Sequence, residues 1–293
     1  MKKITKYIPT IILTLLCSCS DYLDIVPDNV TTLDIVFNNR NTAERYLANC
    51  YHFVPDHGSV KRIPGMGAGH ECWFYTTNDS HFDNEVSFYI ARGLQNIDAP
   101  YANYWDGEGG SNLPMFRAIR ECNIFLDYVR DQHKVNDLTD SERKRWIAEV
   151  NVLKAYYHFF LFEHYGPIPI VDKALPVSTD PEGVKVTRMP VDQIVDYMVK
   201  LIDDSYKDLP PVITMEATEM GRLTQPAALA LKAKILLWAA SPLFNGNKDY
   251  ANFRNEEGKP FINQEFSREK WVRTAEALSL IHISEPTRRT PIS

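Results

Sequence analysis

The chain has 293 residues, of which 44% are hydrophobic, and its 38 acidic residues outnumber 32 basic ones for a formal net charge of −6. That length buries one substantial core or two smaller ones. The acidic balance argues against nucleic acid and against adhesion to anionic lipid headgroups, more so once Lys2, Lys3, Lys6, Arg288 and Arg289 at the two ends are set aside.

The N-terminus divides into a basic start at Lys2, Lys3 and Lys6, an apolar run over residues 7–16, and Leu16-Cys17-Ser18-Cys19. This is the layout of a secretory signal, shorter than the roughly 20 apolar residues that span a bilayer. Leu-x-Ser-Cys adds a lipobox, in which a small residue precedes a cysteine that is acylated before cleavage. Residues 1–18 are therefore expected to be a lipoprotein signal peptide, with a lipid on Cys19 tethering the mature chain to a membrane. At the far end, residues 278–288 read LSLIHISEPTR, which looks like the translation of a transposase adapter used in sequencing libraries. Residues 278–293 are expected to be a non-native tail, leaving 19–277 as the folding unit. Beyond Cys19, the cysteines Cys50, Cys72 and Cys122 form no CxxC, and an odd count favours buried or free thiols over a disulfide framework. A single disulfide among them stays open in an oxidising compartment.

Helical signals dominate the middle. Residues 42–54 carry apolar positions at helical spacing, with Asn41 and Glu44 as a cap. Residues 115–129 repeat the spacing through Phe116, Ile119, Cys122, Leu126 and Val129. The clearest helix spans 139–165. It opens on the capping box Thr139-Asp140-Ser141-Glu142 and stops at Gly166-Pro167, and it is apolar around much of its circumference, which predicts burial. Pro190 sets the first turn of another helix with Val191, Ile194, Val195, Met198, Leu201 and Ile202 on one stripe. Thr224 caps a helix over 225–240, with Pro226 tolerated in its first turn. A last helix begins near Ser267. Strands have little support, since 168–171 is short and interrupted by Pro169. The fold class expected is all-α, with tetratricopeptide-like stacked helical hairpins and long irregular loops; the longest, 55–110, is rich in Gly, Asn, Asp and aromatics.

Catalytic constellations are weak. His70-Glu71 lacks a second histidine one turn on, because Phe74 stands there. Ser141-Glu142-Arg143-Lys144 matches Ser-x-x-Lys, but capping explains it better. Gly65-x-Gly67-x-Gly69 and Gly107-x-Gly109-Gly110 lack the strand-to-helix setting of a phosphate loop. Asp79, Asp83 and Glu85 lack the ligand spacing of a calcium loop. No metal and no cofactor are expected. A carbohydrate site needs rings that stack on sugar C–H faces, with amides, carboxylates and guanidinium groups for the hydroxyls. Trp73-Phe74-Tyr75 followed by Thr76, Thr77, Asn78 and Asp79 is such a mixture, and Tyr101-Ala102-Asn103-Tyr104-Trp105-Asp106 is a second. Trp73, Tyr75, Asn78, Tyr104 and Trp105 are the candidate ligand-binding residues. Trp146, Trp238 and the cluster Tyr156, Tyr157, Phe159, Phe160 and Phe162 are read as core. Asp203-Asp204 and Glu256-Glu257 are read as solvated faces.

Several segments together resemble the SusD/RagB family of surface lipoproteins from Bacteroidetes. Cys19-Ser20-Asp21-Tyr22-Leu23-Asp24 is similar to the family's mature start. Glu149-Val150-Asn151-Val152-Leu153-Lys154-Ala155-Tyr156-Tyr157 through Tyr165-Gly166-Pro167-Ile168-Pro169 is similar to its long aromatic helix and exit. Gly221-Arg222-Leu223-Thr224, the alanine-rich run after it, and Ala240-Ser241-Pro242-Leu243-Phe244-Asn245 are similar to its most recognisable helix. The resemblance spans 19–277, and family members usually continue well beyond. It implies a non-catalytic outer-membrane lipoprotein, surface-exposed, that binds a nutrient glycan and delivers it to a TonB-dependent, SusC-like transporter. A peptide ligand, a lipid-anchored hydrolase and a helical adaptor without a ligand of its own stay open beside it.

Overall fold

Helix starts and stops in this chain coincide with side chains able to satisfy the orphan backbone groups of a helix end. The structure, a computed structural model, describes residues 32–58, 64–69, 86–98, 100–107, 113–176, 180 and 182–284. Its long helices are α1 (Arg40–His52), α2 (Met115–Arg130), α3 (Asp140–Tyr165), α4 (Val191–Asp203), α5 (Gln225–Ala240) and α6 (Arg268–Ser284). Single turns lie at Leu33–Val36, Pro64–Ala68, Val86–Ala91 and Glu216–Glu219. Among the described residues there are no strands, only isolated bridges such as Arg254 with Pro260. None of the described helices is long and apolar enough to cross a membrane. Each long helix packs on the next in sequence, and α3 also touches α1 and α5. This is the all-α, tetratricopeptide-like stack expected from the sequence.

The capping box at Thr139 and Glu142 forms as read: the Glu142 N–H donates to Thr139 Oγ1 and the Thr139 N–H donates to Glu142 Oε2, both at 3.3 Å. Thr224 likewise caps α5. The start of α1 differs from expectation. Its cap is Asn39, not Asn41, because the extended backbone of Asn39 brings its side chain to the Thr42 N–H at 3.1 Å. Helix α6 begins where expected and continues past Ala277 to Ser284. Gly166 ends α3 at φ 67°, a left-handed conformation in which a Cβ would be strained.

Helix α3 is buried around most of its circumference, and Trp146, Val150, Val152, Leu153, Ala155, Tyr157 and Phe159 through Phe162 form the centre of the core. Each fully buried side chain of this size contributes about 1.5–3 kcal/mol of hydrophobic stabilisation. Trp146 packs as predicted and Trp238 is half-buried against the same core. The same helix carries polar groups inside, and each has found partners. Arg143 is not part of a solvated helix start: it is buried, and its guanidinium donates to the carbonyls of Val129, Asp131, Lys134 and Val135, closing the end of α2. Lys154 donates to the carbonyl and the carboxylate of Asp172, and burial lowers its pKa against the pull of that carboxylate.

Glu149, fully buried, joins three segments. Arg222 approaches both carboxylate oxygens, at 2.9 and 3.1 Å, while Arg145 Nε donates at 3.0 Å and the Tyr51 hydroxyl at 2.7 Å. Tyr51 accepts from the Leu223 N–H, so α1, α3 and the lead into α5 are fixed through one carboxylate. Removing one member of such a pair strands a buried charge, which typically costs about 3–5 kcal/mol. Arg222→Ala is expected to destabilise the chain by about that much in urea unfolding, whereas breaking the exposed Lys185–Glu182 pair is expected to cost less than about 1 kcal/mol.

His158 is buried with Nδ1 at 2.8 Å from the Lys154 carbonyl, and its Nε2 faces the Val171 N–H at 3.4 Å. The neutral tautomer protonated on Nδ1 serves both contacts; protonating Nε2 would set two donors against each other. Burial pushes its pKa down to about 4. The unfolded chain therefore binds this proton first, and stability from His158 is full above the ordinary value near 6.5 and is lost as pH falls toward 4. Wild type is expected to lose roughly 3 kcal/mol more than His158→Gln between neutral pH and pH ~4, measured by urea midpoints at each pH.

Candidate functional site

The aromatic loop after Pro100 is held by the exit of α3. Tyr165, the last residue of that helix, accepts the Tyr104 N–H at 2.9 Å and donates to the Ala102 carbonyl at 3.3 Å. The Tyr104 carbonyl in turn accepts the Met115 N–H at 2.9 Å, so the loop is pinned between α3 and the start of α2. Within it, Asn103 accepts from the Trp105 N–H at 3.1 Å and donates to Asp106. Tyr101 stacks on Tyr89 with ring centroids 4.4 Å apart, which ties the turn at Val86–Ala91 to the same loop.

These anchors separate the two aromatic candidates. Tyr104 is 1% exposed, its ring set edge-on against Phe160 and His164, and burial raises its pKa to about 12. It is a core residue rather than the presented stacking ring expected from the sequence; the backbone bonds of Tyr104 to Tyr165 and Met115 hold its ring against Phe160 and His164. Trp105 is half-buried. Phe116 and Tyr165 meet it edge-to-face at 4.6 and 5.5 Å, and the Arg188 guanidinium lies over the indole at 5.7 Å. Trp73, Tyr75, Asn78 and the lipidation residue Cys19 lie outside the described residues.

Arg188 also belongs to a polar recess of about 310 Å³, together with Thr187, Arg254, Asn255, Glu256, Glu257 and Phe261. Arg254 is braced by donating to the carbonyls of Ala251 and Gly258, and Asn255 accepts the Lys259 N–H through its side chain at 2.8 Å. Glu256 and Glu257 are exposed, as read from the sequence, and stand on the rim of this recess. A hydrogen bond from Lys259 lowers the Glu257 pKa, so the carboxylate is an acceptor at neutral pH. An indole under a guanidinium, and an amide and two carboxylates around the recess that shares this guanidinium, supply the stacking surface and the hydroxyl partners that a sugar needs.

Two other hollows have different chemistry. One of about 440 Å³ between α1, α3 and α5 is lined by Tyr51, Val54, Val152, Leu153, Tyr156 and Leu231 among others, and is mainly apolar. Another, near Asp192 and Asp196, is filled with ion pairs already closed on Lys270 and Arg273. Among the described residues no group of His, Cys, Asp and Glu is placed to hold a metal ion. Arg188, Arg254 and Asn255 escaped the sequence reading because they sit in irregular segments with no motif and no periodicity. The polar stretch leading to Pro190 was the only cue.

The SusD-like family, described as starch-binding and associating with the outer membrane, matches residues 21–237. The chain belongs to the SusD-like family. The solved structure of BT4246 superposes with a TM-score of 0.68 and 27% identity over 85% of this chain and 40% of that one. A SusD-like protein from Bacteroides fragilis, BF3747, matches with a TM-score of 0.58 and 15% identity over 85% of this chain and 39% of its own. A SusD-like carbohydrate-binding protein of the same species, BF0978, matches with a TM-score of 0.53 and 20% identity, covering 85% and 41%. The last two support the fold alone. The chain thus spans about two-fifths of the length of these SusD-like structures. No curated protein matches it. Membership makes this a chain of a carbohydrate-binding, outer-membrane-associated family.

Proposed function

We propose that this SusD-like chain is part of a lipid-tethered surface protein that captures a nutrient glycan and passes it to a TonB-dependent transporter without cleaving it. The observation that carries the ligand class is Trp105, a half-exposed indole with Arg188 over its face and a polar recess sharing that arginine. Rings stack on the C–H faces of pyranosides, and the recess offers donors and acceptors together, whereas the larger hollow near Tyr156 offers mainly apolar lining. The tether rests on Leu16-Cys17-Ser18-Cys19, and the outer-membrane setting on the family description. Trp73, Tyr75 and Asn78 are proposed to add to the same glycan-binding surface. Delivery to a TonB-dependent transporter rests on the resemblance to surface lipoproteins that work with such a partner, and a lipid tether at the surface is compatible with it.

The decisive experiment is retention of the gene product on a panel of immobilised polysaccharides, with oligosaccharide products monitored by mass. Intact retention supports the proposal; turnover moves the protein to a hydrolase, and retention of peptides alone moves it to a peptide carrier. Trp105→Ala and Arg188→Ala are each expected to weaken glycan retention by roughly tenfold, the loss of about 1.4 kcal/mol, with helicity by circular dichroism unchanged. Unchanged affinity in both variants would remove this face from the binding site. For the tether, Cys19→Ser is expected to release the protein from the membrane fraction into the soluble fraction of the producing cell, read by fractionation and blotting.

A further inference from the structure

Two of the chain's cysteines meet in the core without any role in the site described above. Cys50 comes from the last turn of α1 and Cys122 from the middle of α2, helices that pack side by side. Both are 0% exposed. Both are unpaired thiols here, and residues beside them tie the two helices at the same level, the Tyr46 hydroxyl and the Asn49 amide both donating to Glu121. Tyr46 and Tyr157 are both neighbours of this pair, and the Tyr157 hydroxyl donates to the Cys50 carbonyl at 2.5 Å, which fixes the end of α1 against α3.

We propose that in the exported protein Cys50 and Cys122 are joined by a disulfide that staples α1 to α2. Buried thiols at the same level on two packed helices need little movement to reach bonding distance, which is the usual obstacle to a disulfide. The proposal rests on export through the N-terminal signal, because disulfides persist outside the reducing cytoplasm. Timing follows from burial. In the folded core both sulfurs are fully buried, out of reach of a carrier, and the neighbouring Cys122 and desolvation push the Cys50 thiol up. The bond therefore forms while α1 is still open. A thiolate of one cysteine attacks the disulfide of an oxidised dithiol carrier or of oxidised glutathione, making a mixed disulfide and releasing one carrier thiol. The thiolate of the second cysteine then attacks its partner's sulfur and expels the other carrier thiol. The chain loses two S–H protons and two electrons, and the electrons reduce the carrier disulfide to two thiols. Closing a loop that runs from α1 to α2 narrows the unfolded ensemble, so the folded chain gains stability.

The test uses the whole chain refolded from urea in a buffer of reduced and oxidised glutathione, then denatured without reductant, alkylated with N-ethylmaleimide and digested. The expected result is a peptide containing Cys50 linked to one containing Cys122, neither alkylated. Alkylation of both, or linkage of either to Cys72, overturns the pairing. The same map on protein from the cell envelope tests the exported state, and two alkylated thiols there overturn the staple in the cell. The Cys19→Ser fractionation reads export separately, so failure of the leader and failure of the pairing give different results. Reductant is expected to lower the urea midpoint of wild type and to leave that of C50A/C122A unmoved; equal responses count against the staple even where the linked peptides are found.

Discussion

A buried carboxylate governs how this chain closes. Glu149 has no access to water, and its charge is supported only because Arg222, Arg145 and Tyr51 arrive from three directions. A buried ion pair is weak as a source of net stability, since desolvation offsets much of the attraction. Its strength lies in the penalty for any packing that leaves the charge alone. The loop from Glu216 to Thr224 has few apolar anchors, and Met220 is 72% exposed. What selects its position is Arg222 on Glu149, with Glu219 bridging both arginines at 2.9 and 3.3 Å. That position sets where Thr224 starts α5, and α5 in turn carries α6.

A second coupling runs from the same helix to the candidate site. Tyr165 ends α3 and its hydroxyl holds the backbone of the 102–104 segment, so the exit of the most buried helix also fixes the rings that follow Pro100. Gly166 then turns the chain away, and the segment beyond it is gripped by His158, Lys154 and Asn123 through contacts to Val171 and Asp172. From there the chain reaches Met189, whose N–H bonds to the Ile168 carbonyl and which places Arg188 beside Trp105. The candidate site is thus a surface extension of one helix end. Sites built this way are positioned by packing more than by loop preference.

The sequence made the scaffold legible because helix boundaries depend on local chemistry. Thr139 with Glu142, Thr224 before Pro226, and Gly166 each satisfy backbone groups within a few residues of themselves, so their roles can be read in one dimension. Asn39 was missed in favour of Asn41 because the choice between two asparagines depends on backbone angles outside the helix. Cysteine parity rightly pointed to burial of Cys50 and Cys122, but not to the packing of their two helices. The candidate site was legible only in part. Tyr104 and Trp105 are adjacent and chemically alike, and which one faces inward is decided by Phe160, His164 and Phe116, residues distant in sequence. Arg188 meets Trp105, and Asn255 shares a recess with Arg188, through tertiary packing alone. Nothing local marks Arg143 or Glu149 as a buried charge, because the carbonyls of Val129 and Val135 that hold the one, and Tyr51 and Arg222 that hold the other, lie outside the helix that carries them.

Nearest-neighbour stacking also gives the molecule an uneven response to damage. Helix α3 touches α1, α2, α4 and α5, whereas α6 is tied in mainly through α5. In an array of this kind, local opening free energies rise toward the element with most neighbours. A flaw in α6 is therefore absorbed near where it arises, while a flaw in α3 spreads in both directions and takes the aromatic loop with it. The part of the chain that presents Trp105 and Arg188 is consequently built on the region that opens last, and substitutions far out on the stack are free to vary without reaching it.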